Sequence, residues 1–518
     1  MTLEAEYDQA VAAHRRGEFG EAERLYRRLM EAAPSSAAAR HMLGVLRAQS
    51  GDSAEALELI GAALTLKPDA PDILFNYAHV LKGIGRLDEA LAAHDRALFL
   101  KPDYAVARNA RAEVLNLKGN SLREAGQAEQ ALSFYDRALT DAPHYPDAMN
   151  NRAVALWSLG RFEEALTGFD AALALKPDYV EAHYNRGNVL RDLLRLDEAK
   201  QSFDRAIALD PAFAPAYRNK GFCALLQGDF AQGLPLYEWR KRLNPPIEAR
   251  SYSQPLWSGT QDINGKTVFV YIEQGLGDTI QFYRFIPALL ARGARVILSA
   301  QDSLLRLLAH ASPRIELIGS TMVPASFDYH IPLMSLPLAL GLTLETIPDP
   351  GPYLTADPGK AAQWGDRIGK KGFKIGISWQ GARGGVTSRA IALDYFRTLS
   401  RIPNVRLISL QKGFGTEQVA GQSWVEVLEG LDDGPDAFLD CAAAIENLDL
   451  VITLDSAVAH LAGALGRPVW VGLKQVPDWR WFLGRNDSPW YSSMRLFRQS
   501  KEGDWARLFA EIQSQVPR

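Results

Sequence analysis

A spacing of 34 residues separates Pro34, Pro68 and Pro102, and the same spacing returns at Pro143, Pro177 and Pro211. Glycines keep that frame at Gly17, Gly51, Gly85, Gly126, Gly160 and Gly228. Five places after each stands a small residue: Ala22, Ala56, Ala90, Ala131, Ala165 or Gly233. Four places further on comes a ring or a large aliphatic group, namely Tyr26, Ile60, His94, Tyr135, Phe169 or Tyr237. One repeat has Leu194 in the glycine position and keeps Ala199 and Phe203. A fixed period of this length is a severe constraint. Each copy is too small to bury a core alone, so copies must stack on their neighbours as a solenoid.

The period breaks once, because Pro102 and Pro143 are 41 residues apart, a surplus of seven. Seven residues add about two helical turns with little net rotation. The stretch ARNARAEVLNLKGNSL can therefore lengthen a helix and keep its buried stripe facing inward; a looped-out insertion is the alternative.

The pattern resembles the tetratricopeptide repeat, a helix-turn-helix unit whose small residue lets two helices touch and whose aromatic fills the gap beside it. Seven copies in register cover roughly the first 240 residues. The concave side of such a stack binds extended chains. Asn76, Asn151, Asn185 and Asn219 lie nine residues before the turn position and should form a ladder along the first helices. An amide both donates and accepts, which suits contact with a peptide backbone. It suits a bond between neighbouring repeats equally well.

Length and charge set further bounds. A chain of 518 residues is too long for one core. A net charge of −4 with no run of like charge gives no footprint for nucleic acid. Cys223 and Cys441 stand far apart and form neither a disulfide framework nor a zinc pair. No apolar run approaches the roughly 18 residues of a membrane span, and the first residues have no leader pattern. The expectation is a cytoplasmic protein.

Helical periodicity ends in the stretch that holds Pro235, Pro245, Pro246 and Pro255. Tyr237 and Trp239 are expected to plug a rigid junction there, with Trp257 a further large apolar group in the connection. From Thr267 the alternation is strand, loop, helix. Gly275 and Gly277 allow a tight turn at a strand's carboxyl end, and Asp278 is the first acid after it, at the expected N-cap. A first α/β lobe runs to about Tyr353 and a second starts at Phe373. Its strands end in loops with ligand-capable groups: Gln380 and Gly381, then Arg389, then Gln411 and Lys412.

The stretch from Leu448 to Val471 reads as strand, turn, helix, strand. Its turn, Asp455-Ser456-Ala457, opens a helix whose first N–H groups favour an anion, most often a phosphate. Ser456 is placed to cap that helix, and His460 falls on the same face. All these strand ends should converge on one sheet edge.

Two tandem lobes of this kind are the arrangement of the GT-B glycosyltransferases. GLGDTIQFYRFIPALLARG resembles the opening of the heptosyltransferase-like (family 9) enzymes, and DSAVAHLAGALGRPVWVGL resembles their donor motif. With the repeats before and DWRWFLGRNDSPWYSSMRLFRQ after, the chain is similar to the bacterial tetratricopeptide-repeat glycosyltransferases over residues 10–515. In plan it also resembles O-linked protein glycosyltransferases. The implied fold is a repeat α-solenoid followed by two Rossmann-like lobes. Residues 1–240 would form the array, 241–265 the junction, 266–355 the acceptor-side lobe and 356–518 the nucleotide-sugar lobe.

The resemblance implies sugar transfer from a nucleotide sugar, used as co-substrate with no other cofactor and no metal, to a hydroxyl of a protein such as flagellin. Asp278 would be the general base, beside Gln274, Gly275 and Gly277 on the acceptor side. Asp455, Ser456, Ala457 and His460 would hold the diphosphate, with Gln380, Gly381, Arg389, Gln411 and Lys412 around it. The loop before Arg389 lacks the acid that the family usually carries. Trp479, Trp481, Trp490, Arg495 and Arg498 are expected to pack the lobe interface and the returning C-terminal helix, with Arg480 reaching the donor. A saccharide or lipid-linked acceptor, or a non-catalytic repeat adaptor, are the competing expectations.

Overall fold

The six framed glycines all have positive φ, from 75° at Gly160 to 88° at Gly51. A residue in this left-handed region ends one helix and starts a reversal, and glycine adopts it without a Cβ clash. Leu194 is held there too, at φ 59°, so the turn is imposed even where the side chain opposes it. The computed structural model describes residues 2–245, 250–349, 351–381, 390–434 and 438–517. Two compact units divide the chain, residues 1–189 and 190–518.

The turns join α1 (Leu3–Arg15) to α2 (Phe19–Ala32), α3 (Ala37–Gln49) to α4 (Ser53–Leu66), and α5 (Pro71–Gly83) to α6 (Leu87–Leu100). The series continues with α7 (Ala105–Glu124) and α8 (Ala128–Asp141), α9 (Pro146–Ser158) and α10 (Phe162–Leu175), α11 (Val180–Asp192) and α12 (Leu196–Leu209), and α13 (Ala214–Leu226) and α14 (Phe230–Tyr237). The seven surplus residues lie in α7, which has 20 residues where α5 and α9 have 13. The helix is lengthened and nothing loops out. Ala22, Ala56, Ala90, Ala131, Ala165 and Ala199 are fully buried, as are Tyr26, Tyr135, Phe169 and Phe203 beside them.

The α/β part begins with β1 (Thr267–Tyr271), α15 (Leu276–Phe282), α16 (Ile286–Ala291), β2 (Arg295–Ala300), α17 (Asp302–Ala311), β3 (Glu316–Gly319), β4 (Tyr329–Pro332) and α18 (Leu336–Ala339). Its sheet has the order β3-β2-β1-β4 and is parallel throughout. Next come α19 (Pro358–Ile368), β5 (Phe373–Ser378), β6 (Val405–Ser409), β7 (Val425–Val427), α20 (Leu439–Glu446), β8 (Leu450–Leu454) and α21 (Ala457–Ala464). The chain closes with β9 (Val469–Leu473), β10 (Asp487–Ser488), β11 (Tyr491–Arg498) and α22 (Trp505–Gln515). These strands form a second sheet, β10-β11-β9-β8-β5-β6-β7, in which only the β10/β11 pair is antiparallel. Central β1 and β8 are buried along their whole length, as strands covered on both faces must be. Leu508, Phe509 and Ile512 of α22 return to the core of the second sheet. Among the described residues no helix is long and apolar enough to cross a membrane.

Gly221 sets the approach of α13 to α14. A Cβ there would stand 2.8 Å from Leu236 Cβ, 2.9 Å from the Tyr237 nitrogen and 3.0 Å from the Gly233 oxygen. Overpacking in Gly221→Ala should cost about 1–3 kcal/mol against roughly 1 kcal/mol of helix propensity gained, a net loss of up to about 2 kcal/mol. Gly61→Ala meets only Tyr77 at 4.0 Å, so it should be neutral or stabilising by up to about 1 kcal/mol. Urea midpoints of the two variants check the contrast.

Asp432 caps α20 by accepting the Cys441 N–H at 3.0 Å. Burial raises its pKa to about 6, with Asp440 adding to the rise and Lys412 opposing it. The folded state therefore takes up this proton before the unfolded one, and its contribution to stability falls as pH rises from about 4 to about 6. Asp432→Asn keeps an acceptor and cannot ionise. Melting across pH 4–8 should give a flatter profile and a gain of about 2–3 kcal/mol at most near neutrality.

Candidate functional site

β1 delivers the chain to Gly275, which is the N-cap of α15. Asp278 was expected at that N-cap and instead stands three places later, at N3. Its Oδ2 reaches back to accept the Gly275 N–H at 2.8 Å, so the cap is made from inside the helix because glycine has no side chain to make it. Asp278 Oδ1 accepts a hydrogen bond from Arg480 Nη2. Arg480 is 5% exposed, and its Nη1 donates to Asp478 Oδ1 at 2.8 Å. Burial alone would lower the Arg480 pKa, but the carboxylates of Asp478 and Asp278 outweigh it and raise the pKa.

β8 delivers the chain to Ser456, the N-cap of α21. The expected side-chain cap is absent. Ser456 Oγ instead lies 3.1 Å from Thr453 Oγ1, a hydroxyl partner on the strand just left behind. The two helix starts touch. A Cβ on Gly277 would fall 2.9 Å from His460 Cδ2, 3.4 Å from Ala457 Cα and 3.5 Å from the Ala457 nitrogen. His460 is buried, stacks on Trp481 at 5.2 Å and 18°, and has Nδ1 3.0 Å from Tyr491 Oη. Tyr491 Oη is 3.3 Å from Tyr353 Oη, which accepts Arg284 Nη2 at 3.1 Å. The histidine is thus seated in a network that runs back to the helix region after α15.

Register aligns the other strand ends. Ser378 of β5 stands opposite Thr453 of β8, and Ile377 opposite Ser409 of β6. The loops after β5, β6 and β8 therefore leave the sheet on one edge. Gln411 knits two of them together. Its Oε1 accepts the N–H groups of Trp379 and Gln380 at 3.0 Å each, and its Nε2 donates to the carbonyls of Gln380 and Phe414 at 2.8 Å each. Both ends of this amide are occupied by loop backbone, so Gln411 shapes the edge. Lys412, half exposed, donates to the Leu431 carbonyl at 3.0 Å and pairs with Asp433. Gln380 Oε1 accepts from Gln418 at 3.3 Å, Gly381 is exposed and Asp455 is half-buried. Arg389 and Pro246 lie outside the described residues.

Of the residues expected on the acceptor side, Gln274 donates through Nε2 to Tyr237 Oη at 3.5 Å, and its carbonyl accepts Gln301 Nε2 at 3.0 Å. In the repeats, Asn76 pairs with His41 at 2.8 Å, Asn151 donates to Asn116 at 3.0 Å and Asn185 to Asn150 at 3.2 Å. Each bond spans 35 residues, so this end of each amide links one repeat to the next. Asn219 is buried and accepts from Arg218 Nε at 3.1 Å.

Trp479, Trp481 and Trp490 are buried, and Phe230 of α14 packs on Trp479 and Trp490 with ring centroids 6.2 and 6.3 Å apart. Arg495 lies over Trp470 and Phe497, and Arg498 donates to the Arg485 carbonyl at 3.1 Å. Trp239 stacks on Tyr217 at 3.7 Å. Sequence reasoning missed Arg240 and Glu273, both fully buried as side chains and joined at 2.8 Å. The one available signal was a charged residue on each side of the Trp in YEWR, where a plug needs only apolar groups.

Tetratricopeptide-repeat family models match residues 7–71, 47–114, 116–180 and 180–213, so the repeats are tetratricopeptide repeats. Protein FlbA of Caulobacter vibrioides is 27% identical over 321 residues, 56% of this chain. The chain spans about half, 52%, of that relative's length. Among solved structures, YrrB, described as a TPR protein with an unusual peptide-binding site, is 21% identical over 38% of this chain and 97% of its own, with a TM-score of 0.31. A tetratricopeptide repeat protein from Parabacteroides merdae is 16% identical over 48% of this chain and 99% of its own, with a TM-score of 0.33.

Proposed function

We propose that the chain is a GT-B glycosyltransferase that moves a sugar from a nucleotide-sugar donor to a hydroxyl of a protein held by its repeats. The observation that carries this reading is the meeting of the Gly275–Asp278 turn with the Ser456–His460 turn, each at the carboxyl end of a central parallel strand. Ligands of parallel sheets bind at such strand ends. The turn that carries Asp278 then lies against the start of α21, which supports reading the one as the place of a base and the other as that of a diphosphate.

In this reading Asp278 takes the proton of the acceptor hydroxyl as its oxygen bonds to the anomeric carbon. The bond from that carbon to the diphosphate breaks, and its electron pair leaves with the nucleoside diphosphate. The backbone amides of Ser456 and Ala457 hold the diphosphate, beside Asp455 and His460. Lys412, Arg389 and Arg480 offset the charge that grows on it. Arg480 contacts Asp278 now, so engaging a phosphate would release the carboxylate. Repeats of this class bind extended protein segments, which favours a protein acceptor. Transfer needs no divalent ion; activity lost in chelator and restored by magnesium would contradict that.

A panel of nucleoside diphosphates should raise the melting temperature of the full chain by mass action. Asp278→Asn should keep that rise and cut transfer about 10²–10⁴-fold, the span of one general base. Intact-mass measurement of candidate acceptor proteins reads the transfer. No thermal rise with any nucleotide, together with unchanged acceptor masses, overturns the proposal. Transfer to a glycan that persists after deletion of residues 1–179 overturns the protein acceptor alone.

A further inference from the structure

We infer that Arg240 is a positioning residue for Asp278, through which the end of the repeat array fixes the turn that carries the carboxylate. The inference rests on the transferase reading above. Arg240 lies in the 3₁₀ segment Glu238–Arg242 that continues α14, and it is 0% exposed. Its Nη2 donates to Glu273 Oε2 and to Ser335 Oγ, each at 2.8 Å, and its Nη1 donates to Glu238. Glu273 stands two residues before Gly275, whose N–H binds Asp278. Three residues before Arg240, Tyr237 accepts from Gln274 and lies 6.0 Å from Trp479, the neighbour of Arg480. One short segment therefore holds the strand exit on one side of the Asp278–Arg480 pair and the Trp479–Trp481 turn on the other.

Stability does not account for these buried charges. An ion pair taken out of water returns little more than its desolvation cost, and well-packed apolar groups in its place are often neutral or stabilising. Arg240 Nε and Glu273 Oε1 also have no hydrogen-bond partner among the described residues, so the pair is not built for greatest strength. What a directed ion pair supplies and apolar packing does not is a fixed distance and angle. Here that geometry sits at the root of the Asp278 turn.

The test uses the full chain as Arg240→Met/Glu273→Leu, which removes both members of the fully buried pair and leaves Glu238 with Lys241 as its ion-pair partner, and as Arg240→Lys, which keeps the positive charge. The double variant should melt close to wild type and keep the thermal rise with nucleoside diphosphate. Amide hydrogen exchange in peptides covering residues 273–282 should rise, while exchange in peptides covering residues 450–464 should not change. The kcat for transfer should fall at least about tenfold at unchanged donor KM, as a displaced reacting group requires. Arg240→Lys should recover part of both losses. If the folded double variant shows wild-type exchange at residues 273–282 and wild-type kcat, Arg240 has no positioning role. If the double variant does not fold, Arg240→Lys is measured by the same two readouts against wild type, and wild-type values in both overturn the inference. If the wild-type chain itself transfers no sugar, the transferase reading fails, and the exchange measurement still decides whether Arg240 holds the turn.

Discussion

Gly277 packs against Ala457 and His460 with no room for a single added carbon. That contact decides how the two sheets of residues 190–518 can face one another. A side chain there would meet the His460 ring first, so either that ring or the start of α15 would have to shift. The ion pair follows from the close approach and in turn pins it. Interiors are packed densely enough that a shift of one methyl group is felt by the neighbours, so the spacing of the two turns is set within a fraction of an ångström.

Around this contact lies a shell of buried polar groups joined across long sequence distances. Arg284 reaches Tyr353, Tyr353 meets Tyr491, and Tyr491 holds His460. Arg240 reaches Glu273, and Gln411 draws the loops after β5 and β6 together. Each leaves a large penalty if one partner is removed, because the other stays buried without a bond. Such networks contribute specificity of arrangement more than net stability. In the transferase reading proposed above, a site that presents a carboxylate to one ligand and amides to another needs that kind of specificity.

Much of the fold was legible because its signals are local. A glycine frame predicts left-handed turns, and the turns are there, even at Leu194, where the frame has no glycine. The seven-residue surplus allowed two outcomes, and the intact stripe of Ala112, Leu115 and Gly119 in α7 shows why the helical one holds. Cap chemistry was less legible. Order along the chain points to Asp278 as the helix start, but Gly275 begins the helix and the acid bonds back to it. Ser456 has the right residue type for a cap, and a threonine three places earlier takes its hydroxyl instead. The fate of Gln411 and the pairing of Arg240 with Glu273 depend on contacts between elements 31 to 33 residues apart. No spacing rule covers such contacts.

The 20 residues of α7 make it about 10 Å longer than a helix of 13. A stack of identical copies has no origin, and a guest strand could slip along it by one period and find the same surroundings. An overlong member destroys that translational degeneracy. A chain laid across residues 1–189 would meet positions counted from α7, and would have a reason to settle in one phase.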